Sequence, residues 1–462
     1  MLKPATKEAY QLIHDGTLAL AQVEANGIRI DTDYLAKAIA ITKERITTLT
    51  SEIKEDQVFK TWQRRYGKKT SLDSRPQLAE ILFKELGHKS SETTPTGRMK
   101  ADVDALETVK IPFVKKYVRL AKSKKLLSTY LYGVEREVVD GFLHPVFNLH
   151  TVLTYRGSSD SPNFQNIPIR DGEVAEIIRK AFVPRKGCRI VENDFKGVEV
   201  SVAAIYCKDP RLIAYVKDKN LDMHRDMAAE LFMCKPGQVT KAMRFAAKSF
   251  FVFAQFYGDY YIHCADSLWH KAVKDKEIAL EDGTQLRHWL KRKGIRRCGA
   301  CDPDQEAMAG TFEAHVKAVE RAFWGERFYV YSKWKKAWFA QYQEEGYFRT
   351  HTGFLSQGIF SRNQVTNAPI QGTAFHCLLW TLIRVQKELR KRKMRALIIG
   401  QIHDSLIADV PEEETDEYLA IVKHTVTVEL PKAWTWLSVP LEIEAELTEV
   451  DGNWYDKKAV TI

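Results

Sequence analysis

Two aspartates sit where short apolar runs end. Asp194 closes RIVEND and Asp404 follows LIIGQIH. Either alone reads as a turn or capping residue. Carried on neighbouring strands, the two carboxylates would repel each other unless divalent cations such as Mg²⁺ lay between them; such ions activate a nucleophilic oxygen and steady a leaving group. Between the aspartates runs KAMRFAAKSFFVFAQFYGD, where Arg244 and Lys248 stand at i and i+4 and share a helix face. Cations at that spacing suit a triphosphate, whose departing pyrophosphate must be neutralised as it forms; an exposed salt-bridging face is the plainer alternative. His224 in DMHRDMAAELF is either a further phosphate donor or a structural histidine. Tyr257 and Gly258 offer an aromatic surface on which a base could stack.

The elements that must position these groups can be read from periodicity. RIVENDFKGVEVSVAAIY gives a strand over 189–193 running into a helix with Val198, Val202 and Ile205 on one side. ALIIGQIHDSLIADV is two apolar runs around a polar break, a β-hairpin with Asp404 at its tip, and the preceding LRKRKMR ends a basic helix. Residues 17–59 form amphipathic helix around a break at Gly27, with a cap at Asp31 to Asp33, and 60–140 are helical and rich in lysine. There, KKYVRLAKSKKLLSTYL is either a solvated face or a surface tracking a phosphate backbone. Val146 to Phe182 shortens into extended segments and polar loops, and 221–350 are mostly helical with many aromatics.

The 462 residues, 45% hydrophobic and 28% charged, have ordinary globular composition and length for two to four domains or subdomains. A net charge of +10 points weakly to nucleic acid. No run of about 18 apolar residues occurs, and MLKPATKEAY lacks a secretory apolar region, so a cytoplasmic protein without membrane contact is expected. Seven scattered cysteines suggest reduced thiols. Cys298 and Cys301 form a lone CxxC without a second pair, weak evidence for zinc.

Taken in order, these segments resemble the polymerase domain of family-A DNA polymerases, the family of bacterial DNA polymerase I. DFKGVE resembles its D-Y-S-x-x-E motif; RFAAKSFFVFAQFYG resembles the R-x-x-x-K helix that ends in Y-G; QIHDS resembles V-H-D-E. TYRGSSDSPNFQNIP, NAPIQGTA, EANGIRID and KKLLSTY resemble further segments in the same order. The resemblance implies an α+β right hand: an N-terminal segment 1–34, a thumb 35–140, a palm split between 141–215 and 376–462 with an antiparallel sheet, and fingers 216–375. Thumb and fingers would be mostly helical. It implies DNA-templated 5′ to 3′ primer extension with dNTPs and two Mg²⁺, for which Mn²⁺ can substitute. Asp194 and Asp404 would be the catalytic metal ligands, completed by the backbone carbonyl of Phe195. Glu199, His224, Arg244, Lys248, Phe253 and Tyr257 would face the nucleotide. Arg156, Gln165, Asn166, Asn367, Gln371 and His403 would touch primer and template, mostly through backbone and minor groove. Only about 20 residues precede EANGIRID, so no proofreading exonuclease is expected in this chain. A separate exonuclease or processivity factor is compatible with that reading, and replication and repair both remain open.

Four departures stand out. Ser405 replaces the family's acidic residue after the last aspartate, and Ser201 its arginine two places after the gate glutamate. Tyr257 lies nine places after Lys248, one more than steps of four allow, which predicts a π-bulge that turns Phe253, rather than Val252, toward the nucleotide. The fingers also carry a long segment between Gly258 and FWGERF that contains the run HWLKRKGIRRCGAC. The extra helix residue and the HDS form look similar to a phage-encoded branch of the family. Rival readings are a related single-subunit RNA polymerase, a non-catalytic nucleic-acid-binding protein, and an HD-type phosphohydrolase built on His403 and Asp404.

Overall fold

A computed structural model describes residues 2–88, 99–107, 109–169, 171–299 and 307–462. At its centre is a five-stranded antiparallel sheet of β1 (Cys188–Phe195), β2 (Leu397–Ile402), β3 (Ser405–Pro411), β4 (Ile443–Leu447) and β5 (Lys458–Val460), in the order β2-β3-β1-β4-β5. β2 and β3 form the expected hairpin around His403 and Asp404. β3 is buried along its whole length, so its near-continuous apolar run belongs to a central strand. β1 runs two residues further than the sequence indicated, because Asp194 and Phe195 keep pairing with Ser405 and Ile443; Asp194 therefore lies within the ladder.

Helices cover the sheet. α1 (Lys7–Asn26) is broken by Gly27, whose φ of 65° a side chain would resist, and α2 (Thr32–Glu55) starts at Asp31, which accepts the Tyr34 N–H at 2.9 Å. Residues 171–182 depart from the extended reading: Gly172–Arg179 is a helix, with Val174, Ala175 and Ile178 buried on one face. α3 (Pro112–Lys125) follows the lysine-rich region. α4 (Val198–Cys207) leaves the end of β1 through Gly197, in the left-handed region at φ 59°, and is buried almost all round.

Two apolar cores result. The larger takes in the sheet and most helices; the smaller joins Leu49, Ile53, Trp62, Leu82, Phe113 and Tyr117, among others, all between residues 46 and 120. α2 serves both, with Leu35, Ala38 and Ile39 in the first and Leu49 and Ile53 in the second. Its 24 residues extend about 36 Å.

α5 (Met223–Leu231) and α6 (Lys241–Ala247) pack together, and α6 continues through a π-helical turn at Lys248–Val252 into Phe253–Phe256. Further along, among other helices, lie α7 (Leu286–Arg292) and α8 (Tyr329–Glu345). α9 (Arg362–Lys391) runs 30 residues despite Pro369 in its interior. Proline leaves the carbonyl four residues back without its helical donor, and here the Trp338 indole N–H donates to the Val365 carbonyl at 3.0 Å. The break is thus satisfied from α8, and α9 carries Asn367 and Gln371 toward the sheet without interruption. No described helix is long and apolar enough to cross a membrane.

Candidate active site

Ladder pairing sets the centre of the site. Ser405 lies opposite Asp194, and the Phe195 N–H donates to the Asp404 carbonyl at 3.1 Å, so the ends of two strands fix both aspartates. His403, at the hairpin tip, holds a left-handed φ of 51°, uncommon for a residue with a side chain and found most often in turns and functional sites. Gln401 holds this conformation: its amide donates to the His403 carbonyl at 2.7 Å and accepts from Gln165 at 2.7 Å. Gln165 was expected at the site from the resemblance; Gln401 was not, since a buried glutamine in an apolar strand gives no signal of its partner.

Burial raises the carboxyl pKa of both aspartates. For Asp194 the next cause is the Asp404 charge, followed by Glu192 and Glu444; for Asp404, Glu199 raises it further while Arg156 pulls it down. Ser405 opposes the rise by donating its hydroxyl to Asp194 Oδ1 at 2.6 Å. Glu192, Asp194, Glu444 and Glu446 share one sheet face, where Lys457 meets both Glu192 and Glu446 at 2.6 Å and Lys196 reaches Glu444 at 3.6 Å. The sheet thus neutralises its flanking glutamates, while the central pair has no ion pair among the described residues and only Arg156, itself paired with Glu199, acts on Asp404 from a distance. Among the described residues no group of three or more His, Cys, Asp or Glu side chains is placed to hold a metal ion. Two hard oxygen donors that repel each other nonetheless fit a divalent cation, whose shell would need other oxygens such as a backbone carbonyl.

The second part of the site is basic and aromatic. α5 and α6 bring His224, Arg244, Lys248 and Phe253 together: the Lys248 ammonium lies 5.2 Å from the Phe253 ring centre, and the His224 ring meets Phe253 edge-on at 5.8 Å. The π turn sends Phe251 and Val252 fully into the core and leaves Phe253 half-buried. The π turn that the register anomaly predicted is thus present, and it leaves Phe253, not Val252, among the residues lining the adjacent pocket. Arg244 donates Nε to Asp222 at 2.6 Å, and Asp222 also caps α5 by accepting the His224 and Arg225 N–H groups. Sequence reasoning missed Asp222, although an aspartate immediately before MHRD is a capping signal. Burial, then Arg244 and Lys248, lower the His224 pKa to about 4, so at neutral pH it is an uncharged donor.

Glu199 joins the two parts. It accepts from the Tyr257 hydroxyl at 2.5 Å and pairs with Arg156 at 3.1 Å, while Asn367 donates to the Tyr257 carbonyl at 3.1 Å. Glu199, Phe253, Tyr257, Asn367 and Gln371 line one pocket. His403, Gln165 and Asn166 line a second cleft together with Lys122 and Lys125 of α3. Asp194 and Asp404 line a further pocket that shares Gln165 and His403 with this cleft; Arg156, His224, Arg244 and Lys248 are tied to the site by the contacts above, and the Phe195 side chain is buried. Cys298 is buried, and Cys301 lies outside the described residues.

The model of DNA polymerase family A matches residues 35–279 and 326–456. The chain is 28% identical over 451 residues to a thermostable DNA polymerase I of Thermus thermophilus, covering 95% of this chain and 47% of that protein. It is also 28% identical over 465 residues to DNA polymerase I of Chloroflexus aurantiacus, covering 98% and 44%. It spans about half the length of these curated relatives. The fold is similar to the POL domain of Pol1 from M. smegmatis, solved in complex with DNA primer-template and dNTP, at a TM-score of 0.72 and 24% identity, covering 96% of this chain and 70% of that one.

Proposed function

The chain belongs to DNA polymerase family A, and on that premise we propose that it extends a DNA primer 5′ to 3′ on a DNA template using dNTPs. The observation that carries this reading is the juxtaposition of an uncompensated carboxylate pair, Asp194 and Asp404, with the His224, Arg244 and Lys248 cluster, bridged by Glu199 and Tyr257. Primer extension by purified protein, with and without Mg²⁺, tests it; no extension with Mg²⁺ and all four dNTPs would remove the reading.

In this proposal Asp194, Asp404 and the Phe195 carbonyl would hold divalent Mg²⁺, which would supply Lewis-acid activation of a hydroxyl and charge neutralisation at the leaving phosphate. Lys248, the free end of Arg244 and neutral His224 donate to the triphosphate, so charge that develops on pyrophosphate meets donors already in position. Phe253 and Tyr257 form the wall against which the incoming base stacks. Arg156, Gln165, Asn166, Asn367, Gln371 and His403 hold primer and template. The unit with the smaller core is the thumb, the five-stranded sheet the palm, and α5 to α8 the fingers. A non-catalytic nucleic-acid-binding protein would gain nothing from two buried carboxylates that repel both each other and a phosphate backbone.

Two substitutions probe details of this reading. Phe253→Ala should cost about 1 to 3 kcal/mol of nucleotide binding, seen as a raised KM with little change in thermal stability. Val252→Ala should do the reverse, because Val252 is fully buried and its loss leaves a cavity. Steady-state kinetics paired with thermal melts would separate them, and a selective KM effect from Val252→Ala would reverse the assignment. Ser405→Ala should slow turnover by less than about tenfold, since it removes one orienting hydrogen bond from Asp194 while the strand ladder still positions the carboxylate. A loss as large as that of Asp404→Ala would make Ser405 indispensable.

A further inference from the structure

The family pattern omits residues 280–325, yet the described part of that stretch before Ala300 is built into the fold. Leu286, Leu290, Ile295 and Cys298 are buried in the main core, and the Trp289 indole donates to the Phe232 carbonyl at 3.0 Å, anchoring α7 just beyond the C-terminal end of α5. The outer surface is cationic: Arg287, Lys291, Arg292, Lys293, Arg296 and Arg297 are all exposed, and the sequence has no acidic residue from Thr284 to Gly299. None of the six forms an ion pair among the described residues. Asp282, on the turn before α7, feels the charge of Arg292 without closing on it. Arg292 and Lys293 lie 5.3 and 4.6 Å from the Trp289 ring centre, so they are held at the surface beside an aromatic face.

We propose that this inserted surface binds the single-stranded template ahead of the site. Six exposed cations on a supported surface, with no ion pair among the described residues, fit a polyanion, and they track phosphates rather than read bases. The choice of strand rests on the proposed polymerase reading. On that reading the copied duplex would lie in the cleft that Lys122 and Lys125 of α3 line with His403, and strand passing over the fingers would be strand not yet copied. α5 links the two places, with His224 in its first turn and Phe232 eight residues on, about 12 Å along its axis. The cationic surface thus begins a few nucleotides from the triphosphate cluster.

The test is binding of Arg287→Ala/Lys291→Ala/Arg292→Ala to one primer-template duplex carrying either a long or a two-nucleotide 5′ overhang, across a salt series. For the long overhang, affinity should fall about tenfold or more at low salt, and the slope of log K against log salt should become shallower by about 2, as loss of three single-strand phosphate contacts requires. For the short overhang, affinity should stay within about twofold. Equal losses on both substrates would overturn the proposal in favour of a duplex contact. No loss on either would overturn it in favour of a protein partner or a purely solubilising surface. Thermal melts check that the variant is folded. Wild-type protein that extends neither substrate would instead sink the polymerase reading and leave the binding comparison standing.

Discussion

Asp194→Ala and Asp404→Ala are each expected to slow primer extension by at least about 10³-fold while primer-template binding stays within a few fold. Both side chains point into the cleft from strand ends fixed by ladder pairing, so the substitutions remove charge and leave the scaffold in place. Single-turnover extension and equilibrium binding, measured side by side, check this, and near-normal turnover in either variant would end the two-carboxylate assignment. The same pair makes a separate prediction about stability. Its carboxyl pKa values are raised on folding, so below the unfolded value both states are protonated and the pair has no effect. As pH rises through the window between unfolded and folded values, the unfolded chain ionises first and the fold loses stability; above the folded values the cost is complete. With divalent metal chelated at neutral pH, Asp194→Asn should therefore melt higher than the wild type while extending no primer. A lower melting temperature would show that the aspartate is stabilising in the metal-free protein.

Glu199→Ala is expected to raise ribonucleotide incorporation relative to deoxynucleotide by on the order of 10²-fold or more, the scale of discrimination lost when a pocket wall that clashes with an added hydroxyl is cut away. Glu199 is held from two sides, by the Tyr257 hydroxyl and by Arg156, so its carboxylate is a fixed wall of the pocket rather than a swinging surface group. An added 2′-OH would meet that wall and an acceptor already engaged. Burial and the Glu199 charge push the Tyr257 phenol far above its ordinary range, so Tyr257 remains a donor at every working pH and the pair does not loosen in alkali. Competition between rNTP and dNTP at one template position measures the ratio. An unchanged ratio would favour the RNA-polymerase or structural reading of this glutamate.

What the sequence disclosed follows from how local each signal is. Asp194 and Asp404 stood out because each ends an apolar run, and Arg244 and Lys248 because helical spacing puts them on one face. The π turn was legible for the same reason: counting forward from Lys248 and back from Tyr257 gave registers that an unbroken helix cannot satisfy, and Lys248–Val252 is where the turn occurs. Contacts between distant segments were not legible. Nothing near Lys457 announces Glu192, nothing in α8 announces that Trp338 completes a proline break in α9, and Gln401 is identifiable only once Gln165 and His403 lie beside it. The helix at Gly172–Arg179 was missed because its eight residues are flanked by irregular chain that hides their periodicity.

The division of apolar side chains into two cores has a consequence for how the chain comes apart. Leu49, Ile53, Trp62 and their neighbours are satisfied within residues 46–120, and two continuous helices are shared with the rest: α2, and α3 with its extension through residues 126–137, where Leu126, Leu131 and Val134 join the larger core. Surface ion pairs such as Arg119–Glu173 and Lys122–Asp171 add polar links that salt weakens. The smaller unit can therefore open as its own cooperative block while the sheet stays folded. One free energy of unfolding does not describe such a chain. Its amides would exchange with solvent in two classes, divided part-way along α2 between Ile39 and Leu49.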